Sequence, residues 1–273
     1  MTINCKGNLV DLSTPKVMGI LNVTPDSFYD GGRYNSDKRL LLQTEKMLHE
    51  GASFIDVGAY SSKPNATQIS EDEELKRLIP TIELLVDTFP DILISTDTFR
   101  STVARKSITS GASIINDISG GTLDTKMFKT VGELQVPYIL MHIQGTPQDM
   151  QHNPTYDNVI FSVTHYFSEK IMALRKEKVN DIILDVGFGF GKTTEHNYTL
   201  LKNLSYFKSI GVPILCGLSR KSMLYKVLNS SAKEALNATT VGNTMALMNG
   251  TNILRVHDVK EAMEAVKIYE QIA

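Results

Sequence analysis

The chain has 273 residues, with 28 Lys and Arg against 30 Asp and Glu for a net charge of -2, and 42% of it is apolar. That balance supplies a sizeable core and speaks against a disordered chain or a basic nucleic-acid-binding domain, although a few cations can still form a local anion pocket. Only two cysteines occur, Cys5 and Cys216, no basic-then-apolar leader opens the chain, and no apolar run approaches the roughly 18–20 residues of a membrane helix. The expectation is a cytoplasmic protein, not a membrane one, with two free thiols.

Residues Ile3 to Leu12, with Gly7-Asn8 between apolar residues, predict a small hairpin, part of a cap over 1–15. From Val17 onward, short apolar runs alternate with longer amphipathic stretches. The predicted strands are Val17 to Leu21, Ser53 to Val57, Ile92 to Ser95, Ser113 to Ile115, Val136 to Met141, Asp181 to Leu184, Pro213 to Cys216 and Asn252 to Val256. Helices are predicted over 36–50, 71–88, 100–109, 125–133, 155–178, 196–208, 234–248 and 258–271. Ser70, with Glu73 three residues on and Leu75, Leu78 and Ile79 at helical spacing, marks one of the starts as a capping box.

Eight such units without a linker predict one α/β domain over 1–273, a closed (β/α)8 TIM barrel with a short N-terminal hairpin cap. An open doubly wound sheet would want a glycine-rich dinucleotide turn after the first strand. Asn22-Val23-Thr24-Pro25-Asp26-Ser27-Phe28 stands there instead.

The residue types that follow the apolar runs carry the functional signal: Asn22, Asp56, Asp97, Asn116, His142, Asp185, then Arg255 and His257. A lone Asp or Asn at a strand end often only caps the next helix. In a barrel, however, the C-terminal strand ends converge on one face, and so many charges around one mouth incur costs that a ligand offsets. Asp97, Asn116 and Asp185 suit the polar edge of a guanidine-like heterocycle. Arg255 and His257 suit phosphate oxygens, the bland alternative being a surface ion pair with Asp258.

Gly187-Phe188-Gly189-Phe190-Gly191-Lys192-Thr193 lacks the spacing of an ATPase phosphate loop, since Val186 stands where the first glycine belongs. It reads as a flexible loop that approaches a ligand closely, with Phe190 a stacking wall and Lys192 a surface lysine. The segments Thr24 to Tyr34 and Ala59 to Ile69 read as a mobile cover and a second-substrate loop. Gly217-Leu218-Ser219-Arg220-Lys221-Ser222 puts two cations before a helix that starts near Ser222, and Lys221 can hydrogen-bond a ring carbonyl or nitrogen. No histidine pair has zinc-ligand spacing, and Asn22 with diphosphate oxygens suits magnesium.

Met18 to Phe28, Ser95-Thr96-Asp97-Thr98, Ile115-Asn116-Asp117-Ile118, Met141-His142-Ile143-Gln144-Gly145-Thr146-Pro147, Asp185 to Lys192, Ser219-Arg220-Lys221 and Arg255-Val256-His257-Asp258, in this order, resemble the dihydropteroate synthase family. The resemblance implies a TIM-barrel transferase of folate biosynthesis that joins 6-hydroxymethyl-7,8-dihydropterin diphosphate to para-aminobenzoate, needs Mg2+, forms a homodimer and is a sulfonamide target. It further implies that Asp97, Asn116, Ile118, Met141, Asp185, Phe190, Gly217 and Lys221 bind the pterin, and that Asn22, Arg255 and His257 attend the diphosphate, with Asn22 on the metal. Thr24, Pro25, Phe28, Ser62, Lys63, Pro64, Phe190, Arg220 and Ser222 would build the aminobenzoate side, and Asp97, Lys221, Arg255 and His257 would carry the catalysis.

Two departures stand out. Ala59-Tyr60-Ser61-Ser62-Lys63-Pro64-Asn65 occupies the place of the family's Gly-Glu-Ser-Thr-Arg-Pro-Gly, and Asp185-Val186-Gly187 that of its Asp-Pro-Gly. The first loses an arginine fork on the aminobenzoate side, while the second keeps the carboxylate. A methyltetrahydrofolate methyltransferase domain, the alternative enzyme, would share the pterin-reading Asp and Asn but need neither the aminobenzoate loop nor Arg255-Val256-His257. A noncatalytic pterin-binding homologue is the other alternative.

Overall fold

The structure, a computed structural model, describes residues 1–23, 33–60 and 69–272. It opens on an antiparallel hairpin of β1 (Thr2–Cys5) and β2 (Asn8–Asp11), whose register pairs Cys5 with Asn8. The turn therefore falls on Lys6-Gly7, one residue earlier than expected, with φ of 53° and 85°. Two left-handed residues are what a two-residue hairpin turn requires, and glycine takes the second without strain.

Eight strands follow: β3 (Lys16–Asn22), β4 (Phe54–Gly58), β5 (Ile94–Asp97), β6 (Ile114–Asp117), β7 (Tyr138–Met141), β8 (Ile182–Asp185), β9 (Ile214–Cys216) and β10 (Ile253–Val256). Each pairs in parallel with the next, and β10 closes on β3, forming the expected barrel. The crossovers are α1 (Arg33–His49), α2 (Glu71–Thr88), α3 (Ser101–Thr109), α4 (Met127–Leu134), α5 (Val159–Lys176), α6 (Thr194–Lys202), α7 (Ser222–Val227) and α8 (Leu236–Met248), with α9 (Val259–Tyr269) last.

Local chemistry accounts for several helix starts. Ser70 Oγ accepts from the Glu73 N–H at 3.2 Å, as the cap signal predicts, while the Glu73 carboxylate pairs with Arg77 one turn on. Asn158 caps α5, which moves its start four residues beyond the predicted 155. The predicted helix 196–208 divides into α6 and a 3-10 segment, Leu204–Ile210, because Asn203 turns its amide back onto the Thr199 carbonyl.

Strand alternation sorts the core into layers. Val17, Ile55, Val57, Ile115, Tyr138, Leu140, Ile182, Leu184, Ile214, Cys216, Leu254 and Val256 pack with the helices. Their neighbours Met18, Phe54, Ile114, Ile139, Ile183, Leu215 and Ile253 form a separate apolar cluster, which Ile3, Cys5 and Leu12 of the hairpin region close. The hairpin thus plugs the end of the barrel at which the strands begin. Asn4 N–H to Asp181 Oδ2 at 3.0 Å and Asn252 Nδ2 to the Leu12 carbonyl at 3.0 Å hold it there. No helix among the described residues is long and apolar enough to cross a membrane.

Candidate active site

Two residues further along the same strands the side chains change character: Phe54 gives way to Asp56, Ile114 to Asn116, Ile183 to Asp185 and Ile253 to Arg255. Residues i and i+2 of a strand share a face, so the polar set occupies the mouth at which the strands end. Register pairs Gly58 with Asp97, Asp97 with Asn116, and Met141 with Asp185, setting these ends side by side.

Arg255 links two carboxylates. Its Nε donates to Asp56 Oδ2 at 2.6 Å and its Nη2 to Asp97 Oδ2 at 2.8 Å. Asn116 Nδ2 donates to the same Asp56 oxygen at 3.1 Å, which turns the Asn116 carbonyl oxygen away from Asp56. Burial raises the Asp97 carboxyl to about 7, with Arg255 opposing and Asp56 adding to the rise. Burial works against the charge on Arg255 too, but Asp56 and Asp97 hold its pKa above the ordinary value. Asp56 Oδ1 is buried and has no protein partner among the described residues, a costly state for a carboxylate oxygen.

Across the mouth, burial raises the pKa of Asp185, while Lys221 and a 2.8 Å hydrogen bond from the Gly187 N–H oppose the rise. Burial lowers Lys221 to about 8, with Asp185 resisting. Its ammonium donates to the Phe188 carbonyl and sits 4.7 Å from the centre of the Phe190 ring. Ile118 and Met141 pack with Ile143 and Met150, and Phe99 and Phe190 lie against them, completing an apolar wall beside the charged groups. Gly217 is buried, with Asp185 the nearest group to where a Cβ would project.

Lys192 is not the surface lysine its glycine-rich neighbourhood suggested. It is 3% exposed, and its Nζ lies 2.9 Å from His142 Nδ1 while donating to the carbonyls of Gly187 and Phe190 at 3.0 and 2.9 Å. Burial lowers its pKa well below the usual lysine value. His142, though it follows a strand, turns to this contact, and burial, then the charge of Lys192, lowers its pKa to about 2.

On the β10 side, His257 Nδ1 lies 2.9 Å from Ser219 Oγ, and the His257 backbone N–H donates to the same oxygen at 3.1 Å. Asp258, the alternative partner for Arg255 and His257, instead takes a two-pronged bond from Arg220 at 2.9 and 2.9 Å. Arg220 also donates to the Ala232 and Lys233 carbonyls. Asn22 is exposed at the end of β3, and Ser222 is exposed at the start of α7. Thr24, Pro25, Phe28, Ser62, Lys63 and Pro64 lie outside the described residues.

Three groups were assigned no role from the sequence. Asp56 carried a signal, since it follows an apolar run in step with the other strand ends. Asp117 lay inside a quoted motif: it accepts from the Ser119 and Gly121 N–H groups and the Tyr138 hydroxyl, and so holds the turn after Asn116. Nothing local marked the burial of Lys192.

A model of the pterin binding enzyme family matches residues 18–257. A dihydropteroate synthase of Escherichia coli (strain K12) is 43% identical over 99% of this chain and 96% of its own. The crystal structure of the Yersinia pestis dihydropteroate synthase with a sulfonamide drug superposes with a TM-score of 0.93 at 41% identity, covering 99% of this chain and 98% of that one. The Xanthomonas albilineans enzyme with 4-aminobenzoic acid gives 0.92 at 35% identity, covering 99% and 97%. The chain belongs to the pterin-binding enzyme family and, within it, to the dihydropteroate synthases, transferases of folate biosynthesis.

Proposed function

We propose that the mouth residues divide the condensation of 6-hydroxymethyl-7,8-dihydropterin diphosphate with para-aminobenzoate as follows. Asp185 and the outward oxygen of Asn116 accept from the amino and ring N–H groups of the pterin, and Lys221 donates to a ring acceptor. Asp97 faces the reacting methylene, Ile118, Met141 and Phe190 hold the ring plane, and Gly217 leaves room for it. Arg255 meets Asp56 with Nε and Nη2 and Asp97 with Nη2, so Nη1 is the nitrogen left to reach the diphosphate together with His257. The supporting observation is the paired burial of Asp97 with Arg255 and of Asp185 with Lys221: burial raises both carboxyls, and a ligand with N–H donors and an anionic tail would repay that cost.

The bond from the pterin methylene to diphosphate oxygen breaks as the arylamine nitrogen bonds the methylene, and the amine proton leaves to solvent or diphosphate. Asp97, ionised, stabilises the positive charge that develops on the methylene and ring, while Arg255 and His257 stabilise the departing diphosphate. The neutral arylamine needs positioning more than deprotonation, so no general base is assigned. Magnesium, when bound, supplies further charge neutralisation at the diphosphate. The amide oxygen of Asn22 at the open end of β3 is a single hard donor, which fits an ion that keeps waters and phosphate oxygens as its other ligands.

Thr24, Pro25, Phe28, Ser62, Lys63, Pro64 and Phe190, bordered by Arg220 and Ser222, would form the aminobenzoate side, where a sulfonamide would compete. The expected order of binding is pterin diphosphate first and aminobenzoate second, and equally tight aminobenzoate binding without pterin and diphosphate would contradict that order. An exposed apolar face of Val241, Met245 and Met248 on α8, with Ile268 and Ile272 beyond it, supports a homodimer. The two free, buried cysteines suit the reducing cytoplasm. The deciding assay mixes the two substrates with and without magnesium and measures dihydropteroate and diphosphate, beside Asp97→Ala. Equal product from that variant would remove Asp97 from its role, and no product from the intact protein would overturn the reading.

A further inference from the structure

The run Gly187 to Gly191 is held by side chains at every carbonyl. Gly187 and Phe190 accept from Lys192, Phe188 from Lys221, Gly189 from Gln151 Nε2 at 2.6 Å, and Gly191 from the Tyr156 hydroxyl at 2.7 Å. Five successive carbonyls bound by four side chains is far from the flexible loop that the composition suggested. The glycines serve a tight path: φ is 68° at Gly187 and 62° at Gly191, and a Cβ there would fall 2.0 Å from the His142 carbonyl oxygen and 2.4 Å from that of Gln144. Within the run only the Gly187 carbonyl takes a backbone donor, the Phe190 N–H at 3.0 Å, so the side chains supply the donors for the other four.

We infer that Lys192, Gln151 and Tyr156 are positioning residues for the pterin wall: by fixing the carbonyls of this run they set where Phe188 O anchors Lys221 and where the Phe190 ring stands. None of the three needs to touch substrate to do so. Lys192 grips the run from inside, buried against His142, while Gln151 and Tyr156 reach it from the β7–α5 connection. Lys221 Nζ is bonded to one member of the run and stacked over another, so a displacement of the run displaces the pterin donor with it. This rests on the assignment of Lys221, Asp185 and Phe190 to the pterin made above.

The test is calorimetric titration with 6-hydroxymethylpterin of the full chain carrying Lys192→Met, Gln151→Ala, Tyr156→Phe or, as the control on the site itself, Lys221→Met. Loss of the buried clamp should weaken pterin binding by about tenfold or more, and loss of either outer bond by roughly threefold, the scale of single hydrogen bonds in a site. Gln151→Ala removes a bond at the surface and should melt as the parent does, and Tyr156→Phe keeps the half-buried ring and should lower the melting temperature only slightly, which separates positioning from stability. Wild-type pterin affinity in both of them, or in a folded Lys192→Met, would overturn the inference while a weakened Lys221→Met kept the site reading intact. Wild-type affinity in Lys221→Met would overturn the site reading and this inference with it. If Lys192→Met does not fold, the two outer variants decide.

Discussion

The two ends of one barrel differ by a two-residue step. At the closed end Phe54, Ile114, Ile183 and Ile253 pack under the hairpin with no polar partner to satisfy. At the mouth Asp56, Asn116 and Arg255, each two residues on, form a hydrogen-bonded network with Asp97, and Asp185, also two residues on, stands across from it; burial raises the Asp97 and Asp185 carboxyls. The closed end gains free energy from the apolar atoms it hides, whereas the mouth loses free energy on desolvating charge, a cost that the proposed ligand would offset. Stability and activity are therefore separable by position along a single strand.

Phe54→Ala is the severest way to break that separation. The side chain is fully buried, and its loss should cost about 3–5 kcal/mol, read as a lower denaturant midpoint, with turnover per folded molecule unchanged. A fall in turnover as large as the fall in stability would show that the ends are not separable.

Asp97→Asn tests the opposite end. It removes the charge proposed to stand beside the reacting methylene and should lower kcat by roughly 10²–10³-fold, with a melting temperature close to the parent's. A smaller change is expected from pH. Protonating Asp97 below about 7 removes its negative charge, and deprotonating Lys221 above about 8 weakens a donor, so kcat/KM for the pterin substrate should rise to a narrow maximum between these values and fall on either side. Lys221→Arg should abolish the alkaline limb alone. Smallest of all, Ser70→Ala removes a cap remote from the mouth and should cost about 1 kcal/mol of stability with kinetics unchanged.

Much of this architecture is legible in the sequence. Alternation of apolar runs with helical stretches announced the barrel, and the polar residue after each run announced the mouth, because both follow from local periodicity and from the convergence of parallel strands. What escaped depends on contacts far apart in sequence. Asp56 reads like its neighbours until Arg255, 199 residues away, is found on it. Lys192 looks exposed in a glycine-rich stretch because its partners include His142, 50 residues earlier. Arg220 reads as a ligand contact, and its pairing with Asp258 appears only once β9 and β10 lie side by side.

The most direct test of this division is the pterin affinity of two variants titrated side by side, Phe54→Ala at the closed end and Asp185→Asn at the mouth. Phe54→Ala, kept well below its melting temperature, should bind 6-hydroxymethylpterin as the parent does, and Asp185→Asn should bind it at least about tenfold more weakly. Full affinity in Asp185→Asn, or its loss in folded Phe54→Ala, would contradict the account.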